Sequence, residues 1–321
     1  MKELLSIIAP MYNESSLVRK YCETVIEDMS TIETSYNLEI VLVNDGSSDN
    51  TLSIMHQLHN EHPNIVTIVN LSRNFGLEGA IKAGLSIAKG DIVVVMDADL
   101  QDPPSIIPSM IKKYEEGCDI VVAKRKKRAS DSYFKRISAL SFYRLLNSMS
   151  GKVAIEDNAA NFRLLSRNAL DKLLSLCESN FVFRVLVPFV GMKTGVVDYE
   201  RDKRFAGETK FNLRSMLSFS FDGLTSISIK PLRCLVYTLP ITVITFLLGI
   251  IGLVFAMGQW VLISAFLTII SFFSGIMFVC LCIIGEYLGQ VMIEAKARPA
   301  SIIQEHISCE NAKGAGHYEN G

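Results

Sequence analysis

The sequence predicts an α/β protein: a doubly wound, mainly parallel sheet followed by two apolar helices that cross a membrane. Three observations predict it. Short apolar, β-branched runs alternate with helix-length segments over residues 4–123, which is the spacing of βαβ units. The runs end in turn chemistry (Pro10, Asn44-Asp45-Gly46, Arg73-Asn74, Asp97), on the side where ligands of open α/β sheets bind. Residues 234–285 hold no charged residue and no His, too long for one crossing of a bilayer and suited to two.

The totals narrow the classes. The chain has 321 residues and a formal net charge of −1, so no global field favours nucleic acid. The seven cysteines are scattered and odd in number, as expected of reduced thiols in the cytoplasm. The apolar stretch at the N-terminus is too short for a signal peptide.

In order, Leu4 to Ala9 is an apolar strand stopped by Pro10, with Tyr12, Asn13 and Glu14 after it. Ser15 or Ser16 is placed to cap a helix running to about Thr31. Leu38 to Val43 is a second strand, and Thr51 to Glu61 a helix. Ile65 to Leu71 is the third strand, and a helix from Leu77 to Lys89 follows, with Gly90 placed to cap its end. Val93 to Met96 is the fourth strand. It runs into Asp97-Ala98-Asp99-Leu100-Gln101-Asp102-Pro103-Pro104, where the prolines forbid continuation. A helix from Ser105 to Glu116 and a strand from Ile120 to Ala123 complete the regular part. A helix from Tyr133 to Ser148 follows, and beyond Gly151 the alternation loosens, with a short helix near Asn168 to Leu176.

Asp97 and Asp99 point to opposite sides in a fully extended strand, but a turn after Met96 lets both face one point. Two hard oxygen ligands there suit Mg²⁺ or Mn²⁺ on a diphosphate; the alternative is a solvated acidic turn. The basic run Lys124 to Arg128 is either a solvated loop or a phosphate-binding one. Residues 212–230 interleave Leu, Met and Phe with Ser, which reads as an interfacial amphipathic helix or a core-packing one. Membrane spans are placed at 232–257 and 260–284, with Lys230, Arg233, Lys296 and Arg298 flanking them. The positive-inside rule then puts both ends in the cytoplasm. The domains are 1–211 (catalytic), 212–230 (juxtamembrane), 231–286 (transmembrane) and 287–321 (a cytoplasmic tail). Gly249, Gly252 and Gly275 would permit helix association into a homo-oligomer.

A soluble α/β domain joined to a membrane hairpin suits one task, bringing a phosphate compound to a lipid acceptor. Pro10-Met11-Tyr12-Asn13-Glu14, Val43-Asn44-Asp45-Gly46-Ser47, Arg73-Asn74-Phe75-Gly76 and the Asp97–Pro104 segment resemble the successive motifs of inverting family 2 glycosyltransferases of the GT-A fold. Asn161-Phe162-Arg163-Leu164, Gly207-Glu208-Thr209-Lys210-Phe211 and Gly285-Glu286-Tyr287-Leu288-Gly289 are similar to the polyprenyl-phosphate (bactoprenol) glucosyltransferases and dolichol-phosphate mannose synthases among them. The resemblance spans Ser6 to Pro299.

It implies transfer of a hexose, glucose first, from a UDP-sugar to polyprenyl phosphate at the bacterial inner membrane, with inversion. N-acetylglucosamine, galactose and GDP-mannose stay open as donors. A separate flippase and a downstream transferase are implied as well. By resemblance, Asp45 binds uracil or ribose beside Gly46, Pro10 and Tyr12 enclose the base, and Glu14 bonds in the same pocket. Asp97 and Asp99 hold the metal, and Asp102 orients a sugar hydroxyl or the metal's surroundings. Arg125, Arg204 and Lys210 grip the diphosphate and the lipid phosphate. The family usually carries an Asp, given the role of base, where this chain has Asn161. Either Asp157 substitutes, or Asn161 orients an acceptor already deprotonated, or the chain binds sugar nucleotide without transferring it; the second reading is preferred. A processive polysaccharide synthase is disfavoured because Trp260 is the single Trp, which leaves none for the Gln-x-x-Arg-Trp motif.

Overall fold

The structure is a computed structural model and describes residues 2–30, 32, 35–125, 159–176, 178, 181–200, isolated positions from 240 to 247, and 259–311. The sheet is built from β1 (Glu3–Met11), β2 (Tyr36–Asn44), β3 (Val66–Leu71), β4 (Ile92–Val95), β5 (Ile120–Arg125), β6 (Ala159–Ser166), β7 (Thr194–Tyr199) and β8 (Ile303–Ile307). Its order is β7-β5-β6-β4-β1-β2-β3-β8. Strands β1 to β4 pair parallel, as do β5 and β7, whereas β6 runs antiparallel to β4 and β5, and β8 antiparallel to β3. This is the mostly parallel α/β sheet that the alternating pattern predicts.

The strands are apolar on both faces because helices cover both. On one face α1 (Val18–Met29), α2 (Thr51–Glu61) and α4 (Ile107–Glu115) pack on Leu5, Ile7, Ile40, Val94 and Val121. On the other, α3 (Leu77–Ile87), α5 (Arg167–Leu174) and α6 (Phe183–Phe189) pack on Ile8, Val41, Val93, Val95 and Leu165. The one-residue offset between the two sets is the period-2 alternation of a strand.

Several sequence expectations change. Neither Ser15 nor Ser16 caps α1: Leu17 is the N-cap and has no side-chain bond, and the Glu14 carbonyl accepts from Leu17 and Val18 N–H. Gly90 is not the cap of α3, whose C-cap is Ala88. Its N–H donates to Ser6 Oγ at 2.8 Å, and a Cβ there would lie 2.6 Å from that oxygen. The loosened region after Gly151 holds two strands, β6 and β7, and the expected tail holds a third, β8.

By contacts the chain divides into two units, one of residues 1–147, 152–211 and 298–321, the other of 148–151 and 212–297. The second holds α7 (Gln259–Lys296), 38 residues long, or about 57 Å at 1.5 Å per residue. Among the described residues it is the helix long and apolar enough to cross a bilayer. Phe278 and Met277 are exposed on it at 69% and 62%, surface that water does not favour. The second expected span falls within α7. The first (232–257) lies outside the described residues apart from positions such as Val243 and Leu247. The helices expected at 133–148 and 212–230 lie outside them entirely.

A buried polar knot locks the middle of the sheet. Glu39 is 1% exposed, and its carboxylate accepts from Ser6 Oγ, from Thr67 Oγ1 at 2.8 Å and from Lys89 N–H at 3.2 Å. Thr67 Oγ1 also accepts from Cys309 N–H at 3.0 Å, which brings the segment after β8 into the same network. Glu39→Ala orphans these donors and is expected to lower unfolding free energy by about 2–3 kcal/mol, read as the unfolding midpoint of the detergent-solubilised protein.

Candidate active site

The carboxyl ends of β1 and β2 are laced together. Asp45 N–H donates to Met11 O at 2.9 Å, Asn13 N–H to Ser47 Oγ at 3.0 Å and Glu14 N–H to Thr51 Oγ1 at 3.0 Å. Asn13 holds φ +53°, a left-handed conformation that Asn tolerates, and Tyr12 beside it is 40% exposed. Pro10, Tyr12, Glu14, Asp45 and Gly46 are therefore gathered at one edge. The structure adds a task for Asp45. Its oxygens accept from Phe75 N–H at 2.7 Å and Gly76 N–H at 3.0 Å, drawing in the loop after β3. Burial raises its pKa, against the two N–H bonds and Arg73. Gly46 sits at φ +64°, and a Cβ there would meet the Arg73 carbonyl carbon at 2.4 Å, so only glycine fits this crossing.

The acid turn follows β4, two strands along the same edge. Leu100 takes φ +54°, and Gln101 N–H donates to Asp99 Oδ1 at 3.1 Å. Asp102 is fully buried and sits in a closed triangle. Tyr199 OH donates to its Oδ1 at 2.6 Å, Arg125 donates to its Oδ2 at 3.0 Å, and Arg125 Nε donates to the Tyr199 hydroxyl at 3.1 Å. Arg125 and Asp102 thus bind each other and tie the acid turn to the ends of β5 and β7. Burial and the Asp102 carboxylate push the Tyr199 phenol up, which keeps it a donor at neutral pH.

Asp97 has no such support. Its Oδ1 is buried without a hydrogen-bond partner. Burial, then Asp102 and Asp99, raise its pKa, opposed by Arg184 and Arg125. Asn161 stands near it on β6, fully buried; its Oδ1 accepts from Arg184 Nε at 2.8 Å and its Nδ2 has no partner. Arg184 is placed from two sides. Arg163, buried on β6, donates to its carbonyl at 3.1 Å, and Glu78 accepts from Phe183 N–H at 2.8 Å.

The structure therefore brings together Asp97, Asp99, Asp102, Arg125 and Asn161, and adds Tyr199, Arg184 and Glu78. Arg184 left a signal, a single charge in the apolar run Phe181 to Val190; Tyr199 and Glu78 left none. Asp157, Arg204 and Lys210 lie outside the described residues.

Among the described residues no three acid, His or Cys side chains form a cage for a metal ion. Two neighbouring aspartates, one with an orphaned oxygen, still fit Mg²⁺ or Mn²⁺. Mg²⁺ ordinarily takes one or two carboxylates and completes its set with phosphate and water.

Residues 6–174 match the model of glycosyl transferase family 2. This chain belongs to that family. An uncharacterized glycosyltransferase of Bacillus subtilis is 40% identical to this family 2 glycosyltransferase over 315 residues, covering 96% of this chain and 95% of the relative. A bactoprenol glucosyl transferase of Shigella phage SfV is 38% identical over 312 residues, covering 94% and 98%. Among solved structures, glucosyl-3-phosphoglycerate synthase of Mycobacterium tuberculosis, held with Mn²⁺ and UDP, aligns with a TM-score of 0.51 at 18% identity over 70% of this chain and 78% of that one. That likeness establishes the shared fold of the glycosyltransferase domain.

Asp102→Ala leaves the half-buried Arg125 without a counter-charge and should cost about 3 kcal/mol. Tyr199→Phe should cost about 1 kcal/mol. Denaturant unfolding of the purified protein measures both, and equal costs would remove the triangle's importance.

Proposed function

We propose that this chain transfers a hexose, glucose first, from a UDP-sugar to polyprenyl phosphate, with inversion at the anomeric carbon. The observation that carries the reading is the acid turn: Asp97, with an unpartnered buried oxygen, beside Asp99, in a chain alike from end to end to bactoprenol glucosyl transferases. The exposed apolar face of α7 supports a bilayer partner, and a hairpin of 232–257 with α7 would hold the catalytic domain on the cytoplasmic side.

Pro10 and Tyr12 enclose the base. The Asp45 oxygens each keep a lone pair after their backbone bonds, enough to accept a donor from uracil or ribose. Asp99, with Asp97, holds Mg²⁺ or Mn²⁺ on the diphosphate, and Arg204 and Lys210 add positive charge. The ion, when bound, neutralises charge that builds on the leaving diphosphate. Arg125, committed to Asp102 and Tyr199, positions the acid turn instead of gripping phosphate. Asn161 cannot accept a proton at neutral pH. The acceptor phosphate has a second pKa near ~6 and is largely dianionic already, so attack needs little base; Asp157 is the candidate where some is needed.

Asn161 also favours a second reading, a membrane-anchored binder that holds the sugar nucleotide without transfer. Membranes incubated with radiolabelled UDP-glucose and undecaprenyl phosphate, with and without Mn²⁺, separate the two. Mn²⁺-dependent label in the lipid phase is expected, reduced by about 10²-fold or more in Asp99→Ala. Nucleotide binding with no lipid label would give the second reading.

A further inference from the structure

We propose that Asn161, oriented by Arg184, and Asp97 form a donor–acceptor pair that receives one hydroxyl of the transferred sugar. The proposal rests on the reading of the donor given above. Three observations lead to it. The first is orientation. Arg184 Nε can only donate, so its 2.8 Å bond fixes the Asn161 amide with Oδ1 towards the guanidinium and Nδ2 away from it.

The second is placement. The last pair of the β4–β6 ladder is Val95 with Arg163. Beyond that pair β4 ends and Asp97 enters the acid turn, while Asn161 continues β6 along the same edge; Arg184 bonds Asn161 and acts electrostatically on Asp97. The face of β4 and β6 that carries Val93, Val95 and Leu165 is covered by α3 and α6, which supply Glu78 and Arg184.

The third is an unmet requirement. Asn161 Nδ2 is a buried donor without an acceptor, and Asp97 Oδ1 a buried acceptor without a donor. Buried polar atoms of native proteins are nearly always partnered, so each atom calls for something that the chain does not supply. A divalent cation would meet Asp97 and leave the amide N–H facing positive charge. A phosphate oxygen would meet Asn161 and face the Asp97 carboxylate with no proton between them. A hydroxyl meets both, accepting from Nδ2 and donating to Oδ1. Asp99, on the other side of Ala98, remains for the cation together with Asp97 Oδ2.

An acid at position 161 would pair with Arg184 and offer no N–H. The exchange of Asp for Asn therefore changes what the pocket recognises as well as whether it takes a proton. Arg184 is a positioning residue: it acts through the amide, not on the sugar.

The test measures dissociation constants of UDP, UDP-glucose and the monodeoxy UDP-glucose analogues on the full chain in detergent with Mn²⁺. Wild type is compared with Asn161→Ala, Asn161→Asp and Arg184→Met. Expected is a loss of about tenfold for UDP-glucose in both Asn161 variants with UDP unchanged, the scale of one hydrogen bond to a buried group. One deoxy analogue should bind wild type about tenfold more weakly than UDP-glucose, and the Asn161 variants should not distinguish the two. Arg184→Met should lose about threefold, partly restored by Arg184→Lys. Unchanged UDP affinity also certifies that each variant is folded, and Asn161→Asp keeps the volume of the side chain. Equal weakening of UDP and UDP-glucose would assign the pair to the nucleotide and overturn the proposal. An undiminished preference for UDP-glucose in the Asn161 variants would mean that a water fills the pair, and overturns it too. Failure of wild type to bind UDP at all would instead refute the donor reading itself.

Discussion

Like charges crowded into one turn are the constraint around which this structure is arranged. Asp97, Asp99 and Asp102 follow a single buried strand, Asp102 fully buried and the other two partly so, and carboxylates withdrawn from water repel one another unless each is compensated. The chain treats them differently. Asp102 is neutralised internally by Arg125 and held by Tyr199. Asp99 receives a backbone N–H from Gln101. Asp97 keeps an unmet oxygen, and that surplus of negative potential sets the turn apart from a closed salt-bridge cluster.

The antiparallel strand β6 makes this division possible. By entering between β4 and β5 it sets Asn161 beside the acid turn and Arg163 beneath α6. Running against β4, β6 brings its amino end, with Asn161, to the carboxyl edge, where a parallel strand would have placed its own carboxyl end. One strand of opposite direction thus brings a second set of side chains to the carboxyl edge, where β4 alone supplies only acids. Arg184 reaches the site from α6 through the same strand.

Much of this was legible in the residues. The strands from Leu4 to Ala123 lie within two residues of their expected ends because each is an apolar β-branched run closed by proline or by polar and charged residues. Gly46 and the acid turn announced themselves by turn chemistry. What stayed hidden depended on partners far along the chain. Ala159 to Ser166 interleaves Asn, Arg and Ser with apolar residues, which lacks the unbroken apolar run of a central strand; its polar members are buried by pairing with Arg184, Phe183 and Asp119. The pairing of Asp102 with Arg125 and Tyr199 is hidden because nothing near it in sequence shows that the two converge on it. Thr194 to Tyr199 alternates weakly, and the strand Ile303 to Ile307 has a His and two polar residues among five, a pattern indistinguishable from a solvated tail.

That last strand bears on how the protein can be divided. The polypeptide leaves the sheet after Tyr199, runs through α7, and comes back to cover the edge of β3, with Cys309 joined to Thr67 and Asn311 to the Leu38 carbonyl. An uncovered edge strand is a template for aggregation. The water-soluble half is therefore not a contiguous piece of sequence. A preparation that simply stops before the hydrophobic segment would discard the lid of its own sheet, whereas a splice that removes the interior and rejoins residue 298 would retain it.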